Sequence, residues 1–196
     1  GVDLKSSELC MELAEKYDSV YASCGIHPHE ADKAPNRYLY NLEELSNHPK
    51  VVAIGEIGLD YHYDFSERKT QRKIYHEQLE MANSLNLPVI VHCREADDDI
   101  LSGIQESGHE IGVIHCFASD VKFANSILET GFHISFTGMI TFVNDLEEVV
   151  CKVPLNKMML ETDSPYLSPK PHRGKQNEPK NVLHVAEKIA ELKEIS

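Results

Sequence analysis

Apolar and polar positions follow two regimes along this chain. Six short, near-continuous apolar runs, YASCGIH, VVAIGE, LPVIVH, IGVIH, HISFTG and KMMLETD, read as strands buried on both faces. Before each lies a segment with apolar residues at helical spacing: SSELCMELAEKYDS, RYLYNLEELSNHP, SERKTQRKIYHEQLEMANSLN, DDDILSGIQESG, KFANSILETG and NDLEEVVCKV. A last helix is predicted over NVLHVAEKIAELKEI, with Pro179 near its first turn. Gly108 and Gly131 follow helical runs, as C-terminal caps do. Strands that alternate with helices predict an α/β fold with a parallel sheet covered by helices.

Six strands leave two architectures open: an open doubly wound sheet, or a (β/α)₈ TIM barrel that lacks its first strand and part of its second unit. The strand ends favour the barrel. Five of the six runs finish on a residue able to bind a metal or polarise a phosphate: His27, Glu56, His92, His115 and Asp163. Their spacing averages about 27 residues per strand-plus-helix unit, near the roughly 30 of a barrel of about 250 residues. In a barrel the C-terminal strand ends converge on one face, which predicts a polynuclear metal site. The expectation is therefore an incomplete TIM barrel forming a single domain over residues 1–196, truncated at both ends, since the chain opens on GVDLKSS without an initiator Met.

Composition narrows the function. The formal net charge of −13 excludes a broadly basic surface that grips nucleic acid by counterion release. A polyanionic substrate would have to be met by bound cations and a few placed basic residues. No run reaches membrane-spanning length and no secretory leader is visible. The five cysteines are odd in number and include no CxxC pair, so they read as reduced thiols of a cytoplasmic protein. No long aromatic or basic stripe marks a strand-binding groove.

Glu56, in VVAIGEIGLDYHYD, has two carboxylate oxygens and can bridge two cations, as two-metal hydrolysis requires, with Gly55 and Gly58 leaving room beside it. His92 in LPVIVHCRE and His115 in IGVIHCF offer imidazole ligands on consecutive strands. Asp163 in KMMLETDSPYL either ligates a metal or accepts a proton from a metal-bound water, or else makes an Asx turn before Ser164 and Pro165. Glu161 points the same way only if the strand stays regular. Asp60 reads as a residue that orients the loop. His27 and His29, separated by Pro28, either contact a phosphate or sugar or are turn residues. Arg94 and the basic run PHRGKQNEP, with Arg173, offer phosphate recognition, the run being otherwise a solvated loop.

GIHPHE, GEIGLDYHYD, LPVIVHCRE, IHCF, ISFTG, LETDSPYL and PHRGKQNEP, in this order, resemble the TatD family of metal-dependent deoxyribonucleases. The resemblance covers nearly the whole chain. It implies a TIM barrel of the amidohydrolase type, two divalent cations (magnesium, manganese or zinc), and hydrolysis of DNA phosphodiesters from the 3′ end by metal-activated water. It further implies that Glu56 is the shared ligand, that His92 and His115 complete one metal site, and that Asp163 belongs to the other. The family's HxH pair on its first barrel strand has no counterpart here, because the GIHPH setting of His27 and His29 matches the third strand. This fragment would then hold one cation, and its own activity stays open.

The resemblance thus makes DNA the expected partner, with no membrane and a monomer as the default. Two other functions remain on the same residues: a metal-dependent hydrolase of aminoacyl ester or amide bonds, since the same ligands polarise a carbonyl, and a non-catalytic metal-binding protein without the HxH pair.

Overall fold

A computed structural model describes residues 1–195, and its chain divides into two compact units, Gly1–Val113 and Ile114–Ser196. Among the described residues six strands alternate with seven α-helices, one for each predicted segment.

In the first unit α1 (Leu4–Lys16) precedes β1 (Ala22–Cys24), α2 (Tyr38–Ser46) precedes β2 (Val51–Asp60), and α3 (Arg68–Leu85) precedes β3 (Val89–Arg94). Helix α4 (Asp97–Ser107) then leads into β4 (Gly112–Ile114), at the boundary of the units. Asp3 caps α1 by accepting from the Ser6 amide while Ser6 answers with its hydroxyl, a reciprocal capping box. Gly108 ends α4 at φ 64°, as its position after a helical run predicts. Strands β1, β2 and β3 are parallel, with Cys24 opposite Ile54 and Gly58 opposite His92. Ile54, Ile57, Leu59, Val89 and Val91 have no exposed surface, and Tyr75 and Leu79 of α3 are buried in the same core.

Two buried glutamines of α3 fasten backbone that the strands leave unpaired. Gln78 accepts from the Ile26 amide and donates to the Ile26 carbonyl, while Gln71 accepts from the Asp60 amide and donates to the Asp60 and Ser66 carbonyls. Each satisfies buried donors and acceptors that would otherwise cost about 1–3 kcal/mol apiece.

In the second unit α5 (Val121–Glu129) precedes β5 (His133–Phe136), α6 (Leu146–Lys152) precedes β6 (Met158–Leu160), and α7 (Val182–Lys193) is the last helix. The Asp120 carboxylate caps α5 by accepting from the Phe123 amide. β5 and β6 are parallel, with Ile134 opposite Met158. Phe132, Ile134 and Phe136 are fully buried together with Val149 and Val150 of α6 and Val185 of α7. The fold is α/β with parallel strands, as the alternation predicts, and the described residues hold two strands fewer than a closed eight-stranded barrel.

The strand ends differ in detail from the sequence reading. β2 does not stop at Glu56 but runs to Asp60, its register against β3 shifting between Ile54 and Ile57, with a cis peptide between Gly55 and Glu56. Gly58 permits this: at φ 134°, a Cβ there would stand 2.0 Å from the His92 carbonyl oxygen. Gly58→Ala is expected to cost on the order of 3 kcal/mol or more, from strained backbone plus overlap. Gly108→Ala, with open space around it, should cost about 1 kcal/mol. Urea denaturation of the two variants checks this, and equal losses would contradict the close packing of Gly58 on β3.

Candidate metal centre

Three side chains of the first unit converge where β2 passes β3. Glu56 Oε1 lies 3.0 Å from His92 Nδ1 and 3.3 Å from His27 Nε2. Glu56, His92 and His27 each offer one ligand atom, all within 4.8 Å of one another. Glu56 and His92 come from neighbouring strands. His27 lies beyond the end of β1 and caps the short 3₁₀ helix Pro28–Lys33.

The hydrogen-bond partners assign the ring protons. His27 Nδ1 accepts from the His29 amide at 3.1 Å, so the proton of the neutral ring sits on Nε2, facing the Glu56 carboxylate. Burial pushes the His27 pKa down, against the raising effect of Glu56, which favours this neutral form. His27 is thereby a donor towards anionic oxygen, which suits it less to ligating a metal through Nε2.

His92 has the opposite arrangement. Its Nε2 lies 3.1 Å from Asp60 Oδ2, and an ionised Asp60 only accepts, so Nε2 donates to it, while Nδ1 stands 3.0 Å from Glu56 Oε1 and is the nitrogen a cation would take in place of that contact. Asp60 is fully buried, and burial alone would raise its pKa. Hydrogen bonds from His92, the Tyr63 amide and His29 outweigh that and hold its carboxyl well below the usual carboxylate range. An imidazole nitrogen and a carboxylate oxygen facing each other, with the far ring nitrogen held by a second carboxylate, form the donor set that a divalent cation takes in protein sites. These residues therefore fit the metal that the sequence predicts.

The second unit repeats the pairing of histidine with carboxylate. His115, directly after β4, has Nδ1 3.1 Å from Glu161 Oε2. The other Glu161 oxygen accepts from the Cys116 amide at 2.7 Å and from the Ser135 hydroxyl. Burial would raise the Glu161 pKa, but the bonds from His115, Ser135 and Cys116 prevail and lower it. An ionised Glu161 puts the proton on His115 Nδ1 and the lone pair on Nε2.

Asp163 lies three residues beyond β6 at φ 54°, a conformation aspartate tolerates better than most residues, and its carbonyl accepts from the Tyr166 amide in a turn. Glu161 directly follows β6, its amide still bonded to the Phe136 carbonyl, whereas Asp163 sits on irregular backbone where the alternation rule does not apply. Arg173 is exposed, donates to the Ser168 carbonyl and lies 3.8 Å from the Phe142 ring centroid. Arg94, exposed at the end of β3, lies 4.9 Å from the Tyr63 ring centroid.

The sequence understated two carboxylates. Asp60 orients two histidines besides its loop, accepting from His92 and His29 on one oxygen and from the His62 and Tyr63 amides on the other. Glu161 orients His115 from 46 positions away. The one local signal was an aspartate at a strand end before a turn, which announces backbone capping but not a histidine partner.

The description TatD related DNase matches the chain over residues 1–196. An uncharacterized metal-dependent hydrolase of Bacillus subtilis, YabD, is 42% identical over 200 residues, covering 100% of this chain and 78% of the relative. A protein of Shigella flexneri named 3'-5' ssDNA/RNA exonuclease TatD is 32% identical over 200 residues, covering 97% of this chain and 76% of its own. The crystal structure of YJJV, a TatD homologue from Escherichia coli, superposes with a TM-score of 0.93 at 30% identity, covering 98% of this chain and 76% of that one. Sequence and fold agree over essentially the whole of this chain, and it belongs to the TatD related DNase family of metal-dependent hydrolases.

Proposed function

We propose that this protein is a divalent-metal-dependent phosphodiesterase acting on DNA, cutting from the 3′ end. The observation that carries the reading is the contact of His92 Nδ1 with Glu56 Oε1 at 3.0 Å, with His92 Nε2 anchored on the buried Asp60. A ring nitrogen and a carboxylate oxygen thereby face each other where β2 passes β3, and a cation bound there would replace their contact. The name of the Shigella relative, an exonuclease on single-stranded DNA and RNA, supports the substrate class.

In this reading Glu56 and His92 are ligands of the first unit, and His115 and Asp163 are ligands of the second, with Asp163 also the proton acceptor. Bound divalent cations would supply Lewis acidity, lowering the pKa of a water and offsetting charge at the phosphoryl oxygens. The chain's own residues do the rest. His27, its tautomer held by the His29 amide, carries an Nε2–H that faces Glu56 and would meet a phosphate oxygen once a cation takes that carboxylate. Arg94 and Arg173 carry the positive charge that a chain of net charge −13 needs to meet a polyanion.

The test is cleavage of a single-stranded DNA oligonucleotide labelled at its 5′ end by the chain stripped with EDTA, before and after adding magnesium, manganese or zinc. Cation-dependent shortening from the 3′ end is expected, and Glu56→Gln should slow it at least about 100-fold while the fold remains. Full activity of Glu56→Gln would remove the assignment, and hydrolysis confined to non-nucleotide esters would replace the substrate class.

A second variant tests the second unit. Glu161→Gln, with its amide nitrogen turned to His115, should move the ring proton from Nδ1 to Nε2 and weaken manganese binding about 10–100-fold. Nitrogen-15 NMR of the histidine rings reads the tautomer without any turnover. An unchanged His115 tautomer in the variant would show that Glu161 does not set it.

A further inference from the structure

The loop between β2 and α3 spends two large aromatic rings on solvent. Phe65 is 66% exposed and Tyr63 48% exposed. Their rings stack on each other, with centroids 5.3 Å apart and planes 15° from parallel. The Arg94 guanidinium lies 4.9 Å from the Tyr63 centroid. His29 meets both rings edge-on, at 4.8 Å from Phe65 and 5.6 Å from Tyr63. The same His29 bonds Asp60 Oδ2, the oxygen that also holds His92, so the rings border the candidate metal centre.

The loop is braced to keep the rings there. Asp60 Oδ1 accepts from the Tyr63 amide at 2.9 Å, and Arg68 grips Asp64 with two bonds of 2.8 and 2.7 Å. The buried Ser66 hydroxyl donates to the His29 carbonyl, and Gln71 holds the Ser66 carbonyl. A flexible loop could have folded Phe65 onto the apolar surface, and this network works against that. Rings held rigidly in water lose little conformational entropy when a flat partner covers them.

Resting on the nuclease reading above, we infer that Tyr63, Phe65 and Arg94 form a stacking subsite for a nucleobase of single-stranded DNA, beside the phosphate held at the metal centre. A base offers an uncovered face only when unpaired, and every base has one, so the subsite accepts single strands of any sequence. Arg94 adds a planar cation that attracts both the ring system and the neighbouring phosphate. The subsite also sets the substrate class: a paired end must fray before its base can reach the rings.

The experiment measures binding in EDTA, where no cleavage intervenes, by the fluorescence of 2-aminopurine at the 3′-terminal position of a single-stranded DNA oligonucleotide. Quenching on binding is expected with the unaltered protein. Phe65→Ala and Tyr63→Ala should each weaken binding about 5- to 100-fold, the effect of losing one base–aromatic stack, and Phe65→Trp should restore it. Phe65 is largely exposed, so its variants should melt within a few degrees of the parent. An oligonucleotide with an abasic terminal residue should bind the unaltered protein more weakly by a similar factor, and the alanine variants should weaken it no further. Equal losses on intact and abasic strands, or equal affinity for a blunt duplex, would overturn the stacking subsite. If DNA is cleaved normally while the alanine variants bind as the parent does, the subsite fails and the nuclease reading stands. If no cation supports cleavage but base-dependent quenching persists, the nuclease reading fails and the subsite stands.

Discussion

The buried carboxylate of Asp60 is the constraint on which the first unit's chemistry depends. A charge with no solvent exposure is tolerated only when its lone pairs are answered, and here four donors answer it: the rings of His29 and His92 and the amides of His62 and Tyr63. Its position at the end of β2 puts these bonds where strand becomes loop. One residue therefore orients a candidate ligand and starts the turn that carries the aromatic pair. It also joins the 3₁₀ segment of His29 to the sheet.

The second unit reaches the same result with different backbone. Glu161 directly follows β6, accepts from Ser135 and the Cys116 amide, and gives its remaining oxygen to His115. In both units a carboxylate with a depressed pKa decides which ring nitrogen carries the proton. His27 has no carboxylate on its Nδ1 and accepts a backbone amide there instead, so its polarity is reversed. Three histidines placed near strand ends thus take two different chemical roles, and the difference lies in what holds the far nitrogen.

Glycine sets the other boundary condition. β2 can pass β3 closely enough to face Glu56 with His92 only because Gly58 brings no Cβ to the His92 carbonyl, and Gly55 none to the Ile90 side chain, where one would stand 2.7 Å from Cβ. Close backbone approach and ligand geometry are one structural fact here, which explains why the run GEIGLD carries so much of the site.

The amino-acid sequence by itself determined the six strands and seven helices, the parallel α/β class, and the residues Glu56, His92 and His115 as chemically distinctive, because apolar periodicity and terminal polar residues are local properties of the chain. Legibility stopped where partners are distant. Asp60 meets His29 across 31 positions and Glu161 meets His115 across 46, and nothing local announces either pair. Tyr63, Phe65 and Arg94 form no stripe in the sequence, since a loop and the next strand must fold together before their rings and charge share a surface. Only the tertiary structure decided the proton positions on the histidines, because a ring's tautomer is set by whichever donor or acceptor the fold brings to its second nitrogen.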